Sequence, residues 1–255
     1  MTLRHLHLRL ARCAAIATVV LAFGAQAQQL TVSAAASLTD AFKELAPAFE
    51  AAQPGTTLRF NFAASGTLLQ QISQGAPVDV FASADQTTMD RGVAQKLIDA
   101  ATRRDFVVNS LVLIEPAEGG TGVKTVQDLA RPAVQRIAIG KTATVPAGRY
   151  TQEALESAGL WATLTPKFVQ ADSVRQVLDY VSRGEADAGF VYRTDALAAG
   201  NKVNIVLTAT GHTPVSYPVA ATVESQHKTQ AQAFIRFLET PPARAVLARH
   251  GFSQP

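Results

Sequence analysis

Beyond residue 27 the apolar positions switch repeatedly between a period of two and a period near 3.6, and the switches predict strands and helices in alternation. Leu30 to Ala35 reads as a strand. Leu38, Phe42, Leu45 and Phe49 then repeat at helical spacing until Pro54-Gly55 stops them. Leu58, Phe60 and Phe62 alternate as a half-buried strand, and Leu68, Leu69 and Ile72 return to helical spacing. Val78 to Ala82 predicts a third strand, followed by a helix marked by Met89, Val93 and Leu97.

Phe106 to Ile114 is a longer β-rich run broken by the polar pair Asn109-Ser110, and Pro116 to Gly122 is a loop. A second series follows: strand Arg136 to Ile139, helix Pro146 to Ala158, strand Lys167 to Val169, helix Ser173 to Val181 and strand Asp187 to Tyr192. Val203 to Leu207 and Tyr217 to Val223 read as strands, and helices over Ala231 to Leu238 and Pro242 to Arg249 close the chain. Such alternation argues for an α/β fold with mixed, mostly parallel sheets flanked by helices. The polar break suggests that the chain leaves one lobe near Asn109 and returns near Gly211. Lobe 1 is then 28–109 plus 212–255, lobe 2 is 110–211, and a cleft lies between them.

The first 27 residues read differently. Arg4, Arg9 and Arg12 precede an apolar run from Cys13 to Gly24 that is shorter than the ~20 residues a bilayer span needs, and Ala25-Gln26-Ala27 fits a small-x-small cleavage site. Residues 1–27 are therefore expected to be a secretory signal peptide cut after Ala27, giving a periplasmic protein that is not membrane-embedded. Cys13, the one cysteine, leaves with the signal, which excludes disulfides and thiol chemistry from the mature chain. Taking three arginines from the 23 basic residues leaves 20 against 20 acidic ones. A formally neutral chain without a basic patch does not fit a nucleic-acid partner.

Candidate chemistry gathers at helix starts. The first N–H groups of a helix have no partner within it and sit at the positive end of its dipole, so they suit an anion. Ser37 lies between the first strand and the first helix. Ser65 opens the next, and Gly66 beside it permits close backbone approach. Pro146 at a first helical turn, where its missing N–H costs nothing, exposes the N–H groups that follow it. Ser173 places the N–H of Val174 at another helix start, and Tyr192 ends a strand on a phenolic hydroxyl. Taken singly, each has a plain structural reading: Ser37 with Asp40 as a capping box, Pro146 as an ordinary start signal, Tyr192 as a core edge.

Six segments extend the reading: AAASLTDAF at 34–42, FAASGTLLQQI at 62–72, DVFASADQ at 79–86, VNSLVLIEP at 108–116, VPAGRY at 145–150 and GFVYRTDA at 189–196. In this order and spacing they resemble the periplasmic molybdate-binding proteins of ABC importers, over essentially the whole mature chain. The resemblance implies a two-lobed type II periplasmic binding protein fold that captures molybdate, and tungstate, for a membrane permease with its cytoplasmic ATPase. It implies Ser37, Ser65, Ala147, Val174 and Tyr192 as the ligand-binding residues. Molybdenum would be held through them as the oxyanion, with no direct protein ligand to the metal, no cofactor and a monomeric protein. The family pattern often carries more serines near Ser65, where this chain has Ala64 and Gly66. Lys141 and Arg149 flank the Ala147 segment and by default face solvent.

Two other readings stand beside this one. The same fold could bind sulfate, thiosulfate or another oxyanion. A serine hydrolase using Ser37 or Ser65 is more remote, because neither lies in a G-x-S-x-G elbow and His212, His227 and His250 fall in the last 45 residues outside any recognised triad context.

Overall fold

The computed structural model describes residues 28–255; the expected signal peptide 1–27, with Cys13, lies outside them. Ten strands form two five-stranded sheets. The first contains β1 (Gln28–Ala35), β2 (Thr56–Ala63), β3 (Val80–Ala82), β4 (Arg104–Asn109) and β10 (Val215–Ala221), in the order β2-β1-β3-β10-β4. The second contains β5 (Leu111–Pro116), β6 (Ile137–Gly140), β7 (Phe168–Ala171), β8 (Ala188–Tyr192) and β9 (Val203–Thr208), in the order β7-β6-β8-β5-β9.

The pairing is parallel for β1 with β2 and β3 and for β6 with β7 and β8. It is antiparallel around β10 in the first sheet and around β5 in the second. Four strands of each sheet thus share a direction and one opposes them. The opposing strand is in each case the one that follows a crossing: β5 after Asn109-Ser110, and β10 after the turn at Gly211, whose φ of 79° favours glycine.

Helices α1 (Thr39–Ala52), α2 (Ser65–Ser73), α3 (Gln86–Ala94), α8 (Lys228–Leu238) and α9 (Pro241–Arg249) accompany the first sheet. The second has α4 (Pro146–Ser157), the single turn α5 (Trp161–Leu164), α6 (Val174–Ser182) and α7 (Arg193–Ala199). The helical stripe of α1 buries Phe42, Leu45 and Phe49. Phe234 of α8 meets both phenylalanines edge-on, at centroid distances of 5.6 and 5.2 Å. Each such side chain contributes ~1.5–3 kcal/mol on burial. In the second lobe Leu111 to Ile114 are completely buried, which explains why β5 shows no apolar–polar alternation.

Helix α7 was not legible in the apolar pattern. It has seven residues, and its start is fixed by Asp195, whose carboxylate accepts the Tyr192 N–H at 3.2 Å. The first helix also differs in detail: a 3-10 turn, Ala36–Leu38, intervenes between β1 and α1, and no side chain caps α1. Ser37 and Asp40 therefore do not form a capping box, and both side chains engage groups elsewhere.

Candidate functional site

The ends of β1, β2 and β8 and the starts of α2, α4 and α6 converge on one small cavity between the lobes. Ser37, Ser65, Ala147, Val174 and Tyr192 all line it, together with Ala84, Val145, Pro146 and alanines at the ends of β1 and β2. The space inside it open to the centre of a water-sized sphere is about 10 Å³. No carboxylate, histidine, lysine or arginine is among its lining residues; the polar side chains are the hydroxyls of Ser37, Ser65 and Tyr192.

Each contributor is oriented by its element. Ser65 is the first residue of α2 and fully buried, and its Oγ accepts the Ala84 N–H at 3.0 Å, which leaves the hydroxyl proton to donate. Pro146 is the first residue of α4, so Ala147 follows at a position whose N–H has no partner within the helix. Ser173 caps α6 by accepting the Gln176 N–H at 3.2 Å, and Val174 is the residue directly after that cap. Ser37 Oγ lies 2.9 Å from the hydroxyl of Tyr217.

Tyr192 supplies the strongest local signal. Its side chain is buried and its hydroxyl has no hydrogen-bond partner among the described residues. Buried hydroxyls are nearly always paired, so an orphan on a residue that lines a cavity points to a ligand site. Burial pushes its pKa well above the ordinary value, and the neighbouring Tyr217, Tyr150 and acids act in the same direction. The group therefore keeps its proton at neutral pH and can donate.

Around the cavity the lobes are fastened by contacts that sequence reading did not anticipate. Arg149 of α4 does not face solvent. Its Nε meets Asp85 Oδ2 at 3.0 Å, its Nη2 reaches the same carboxylate and Thr88 Oγ1 at 2.8 Å, and its Nη1 donates to the Thr142 carbonyl at 3.1 Å. Arg175 of α6 spans Asp40 of α1, at 2.7 Å, and Asp195 of α7, at 2.6 Å. Burial pushes the Asp195 carboxyl up to about 6, against the opposing pull of Arg175 and the bond from the Tyr192 N–H. The Gly66 N–H donates to the Thr144 carbonyl across the cleft at 2.9 Å. Lys141 remains at the surface, paired with Asp172. The one sequence hint for these bridges was Gly66, since a backbone approach that close needs a residue without Cβ.

No histidine is among the lining residues: His227 pairs with Asp79, His250 with Glu44, and His212 bonds the carbonyls of Thr213 and Ala209. Among the described residues there is no group of three or more metal-ligating side chains, and no helix is long and apolar enough to cross a membrane.

Two mixed α/β lobes, joined by two crossings and closed over a cavity of helix starts without a charged side chain, have the architecture of a solute-binding protein. The chain belongs to the family of bacterial extracellular solute-binding proteins, which it matches over residues 30–253. It is 40% identical over 230 residues to the molybdate-binding protein ModA of Escherichia coli K12, covering 88% of this chain and 89% of the relative. Among solved structures it resembles the periplasmic molybdate-binding protein of Azotobacter vinelandii, with a TM-score of 0.78 and 26% identity over 89% of this chain and 99% of that one. The sulfate-binding protein SubI of Mycobacterium tuberculosis shares the fold, with a TM-score of 0.79 at 21% identity over 89% of this chain and 87% of that one. Fold alone therefore does not separate one oxyanion from another.

Proposed function

We propose that the inter-lobe cavity binds molybdate, and tungstate, as the intact tetrahedral dianion. The chain then acts as the periplasmic substrate-binding component of an ABC importer, delivering the anion to a membrane permease driven by a cytoplasmic ATPase. The observation that carries this reading is the convergence of three buried hydroxyls and three helix starts on one cavity without a charged side chain. The name of the Escherichia coli relative supports the choice of anion.

In this reading Ser37 and Ser65 donate from the first lobe, and the Ala147 and Val174 N–H groups and Tyr192 Oη donate from the second. Hydrogen bonds to a charged group contribute ~1.5–3 kcal/mol each, and each helix N-terminus adds ~0.3–1 kcal/mol. Several together offset dehydration of the dianion, and because they come from both lobes they favour the closed form. A shell made of donors favours a fully deprotonated anion over hydrogen phosphate, whose proton needs an acceptor. Sulfate is smaller and reaches fewer donors at once. The protein holds its ligand without reacting with it, as a monomer exported by the signal cut after Ala27.

Calorimetric titration of single variants tests the residue assignment. Ser37→Ala is expected to weaken molybdate binding about tenfold, since a hydroxyl beside a helix start is removed, and Tyr192→Phe a few-fold, following the ~1.4 kcal/mol per decade of affinity. If both variants titrate like wild type, the assignment is wrong.

A further inference from the structure

Tyr217 lies behind the cavity, on β10, and is not among the residues that line it. It is fully buried, and the register of β10 against β4 shifts between Tyr217 and Pro218. Such irregularities re-aim side chains. Its hydroxyl sits between two side chains: Ser37 Oγ at 2.9 Å and Asn109 Nδ2 at 3.3 Å.

The amide of Asn109 sets the direction of these bonds. Asn109 Oδ1 accepts the Ser110 backbone N–H at 2.8 Å, and a backbone N–H can only donate. The amide orientation is thereby fixed, and Nδ2 faces Thr194 Oγ1 at 2.9 Å and Tyr217. Tyr217 Oη accepts from Asn109, and its own proton finds one acceptor, Ser37 Oγ. Were Ser37 to donate to Tyr217 instead, the phenolic proton would be buried without a partner, an arrangement folded proteins avoid. Ser37 Oγ thus accepts from Tyr217, and its proton is left for the cavity.

We propose that Tyr217, held by Asn109, is a positioning residue that sets Ser37 as a hydrogen-bond donor toward the bound anion. The relay Asn109 to Tyr217 to Ser37 starts at the first crossing between the lobes and ends at the ligand. The Ala84 N–H performs the same task for Ser65, so both serines present protons and neither offers its lone pair first. This inference rests on the oxyanion-binding reading and deepens it: the site selects for deprotonated anions because its hydroxyls are polarised from behind.

A double-mutant cycle with sodium molybdate, read by calorimetry on the mature chain, tests the relay. Tyr217→Phe keeps the ring that meets Tyr192 and Phe252 edge-on and removes one oxygen. It is expected to weaken binding about five- to tenfold in the wild-type background and again in a Tyr192→Phe background. In a Ser37→Ala background, where the relay has no end, the same change is expected to weaken binding less than twofold. Equal losses in all three backgrounds, or no loss in wild type, overturn the relay while leaving the anion site standing. Wild-type protein that does not bind molybdate overturns the functional reading itself, and the relay's part in binding with it.

Discussion

Gly66→Val is expected to reduce molybdate affinity at least a hundredfold while leaving the ligand-free protein folded. A Cβ at Gly66 would sit 2.6 Å from the Thr144 carbonyl oxygen and 2.8 Å from the Thr144 Cα, and neither backbone atom can swing aside as a side-chain tip could. Thr144 belongs to the opposite lobe, just before α4, so the clash exists when the lobes meet and disappears when they part. The backbone of Gly66 lies within α2 without positive φ, so valine can adopt the local conformation. The variant therefore penalises closure, because the Cβ holds apart the two backbones that the Gly66 to Thr144 hydrogen bond joins. Titration gives the affinity, and small-angle scattering shows whether ligand still compacts the molecule. Binding within threefold of wild type would mean that the contact between Gly66 and Thr144 is not part of the liganded form.

Arg149→Ala is expected to lower affinity between thirty- and a hundredfold, although the residue does not line the cavity. Closing the lobes buries Asp85, which caps α3 and accepts from Ser83 Oγ and the Thr88 N–H, and Arg149 brings the compensating charge from the other lobe. Removing one partner of a buried pair costs ~3–5 kcal/mol. Part of this is recovered here, because the bonds within the first lobe persist and the carboxylate can stay in water while the lobes are apart. A net penalty of ~2–3 kcal/mol on closure corresponds to the stated range. Arg149→Lys restores the charge without the fork that reaches Asp85 and Thr88 together, and is expected to fall between the two. Affinity unchanged in Arg149→Ala, measured by the same titration, would show that the ion pair contributes nothing to closure.

Much of this arrangement was legible in the chain because strand and helix periods differ and because polar residues interrupt apolar runs at the crossings. Asn109-Ser110 marked the passage between sheets, and the structure puts β4 in one sheet and β5 in the other. The five candidate residues could be picked from helix starts and from the resemblance, and all five line one cavity. What stayed hidden depends on groups far apart in sequence. Arg149 and Asp85 are separated by 64 positions, and Ser37 and Tyr217 by 180, so no local pattern links them. A surface default for Arg149 ignored the opposite lobe. The capping-box reading of Ser37 and Asp40 failed for the same reason: Tyr217 takes the hydroxyl and Arg175 takes the carboxylate.

The most direct test is calorimetric titration of the mature protein with molybdate and with sulfate under identical conditions. The expected result is one molybdate bound per chain, with an affinity at least a hundredfold above that for sulfate. Comparable affinity for the two anions, or no heat with molybdate, would contradict a cage of donors shaped for the larger oxyanion.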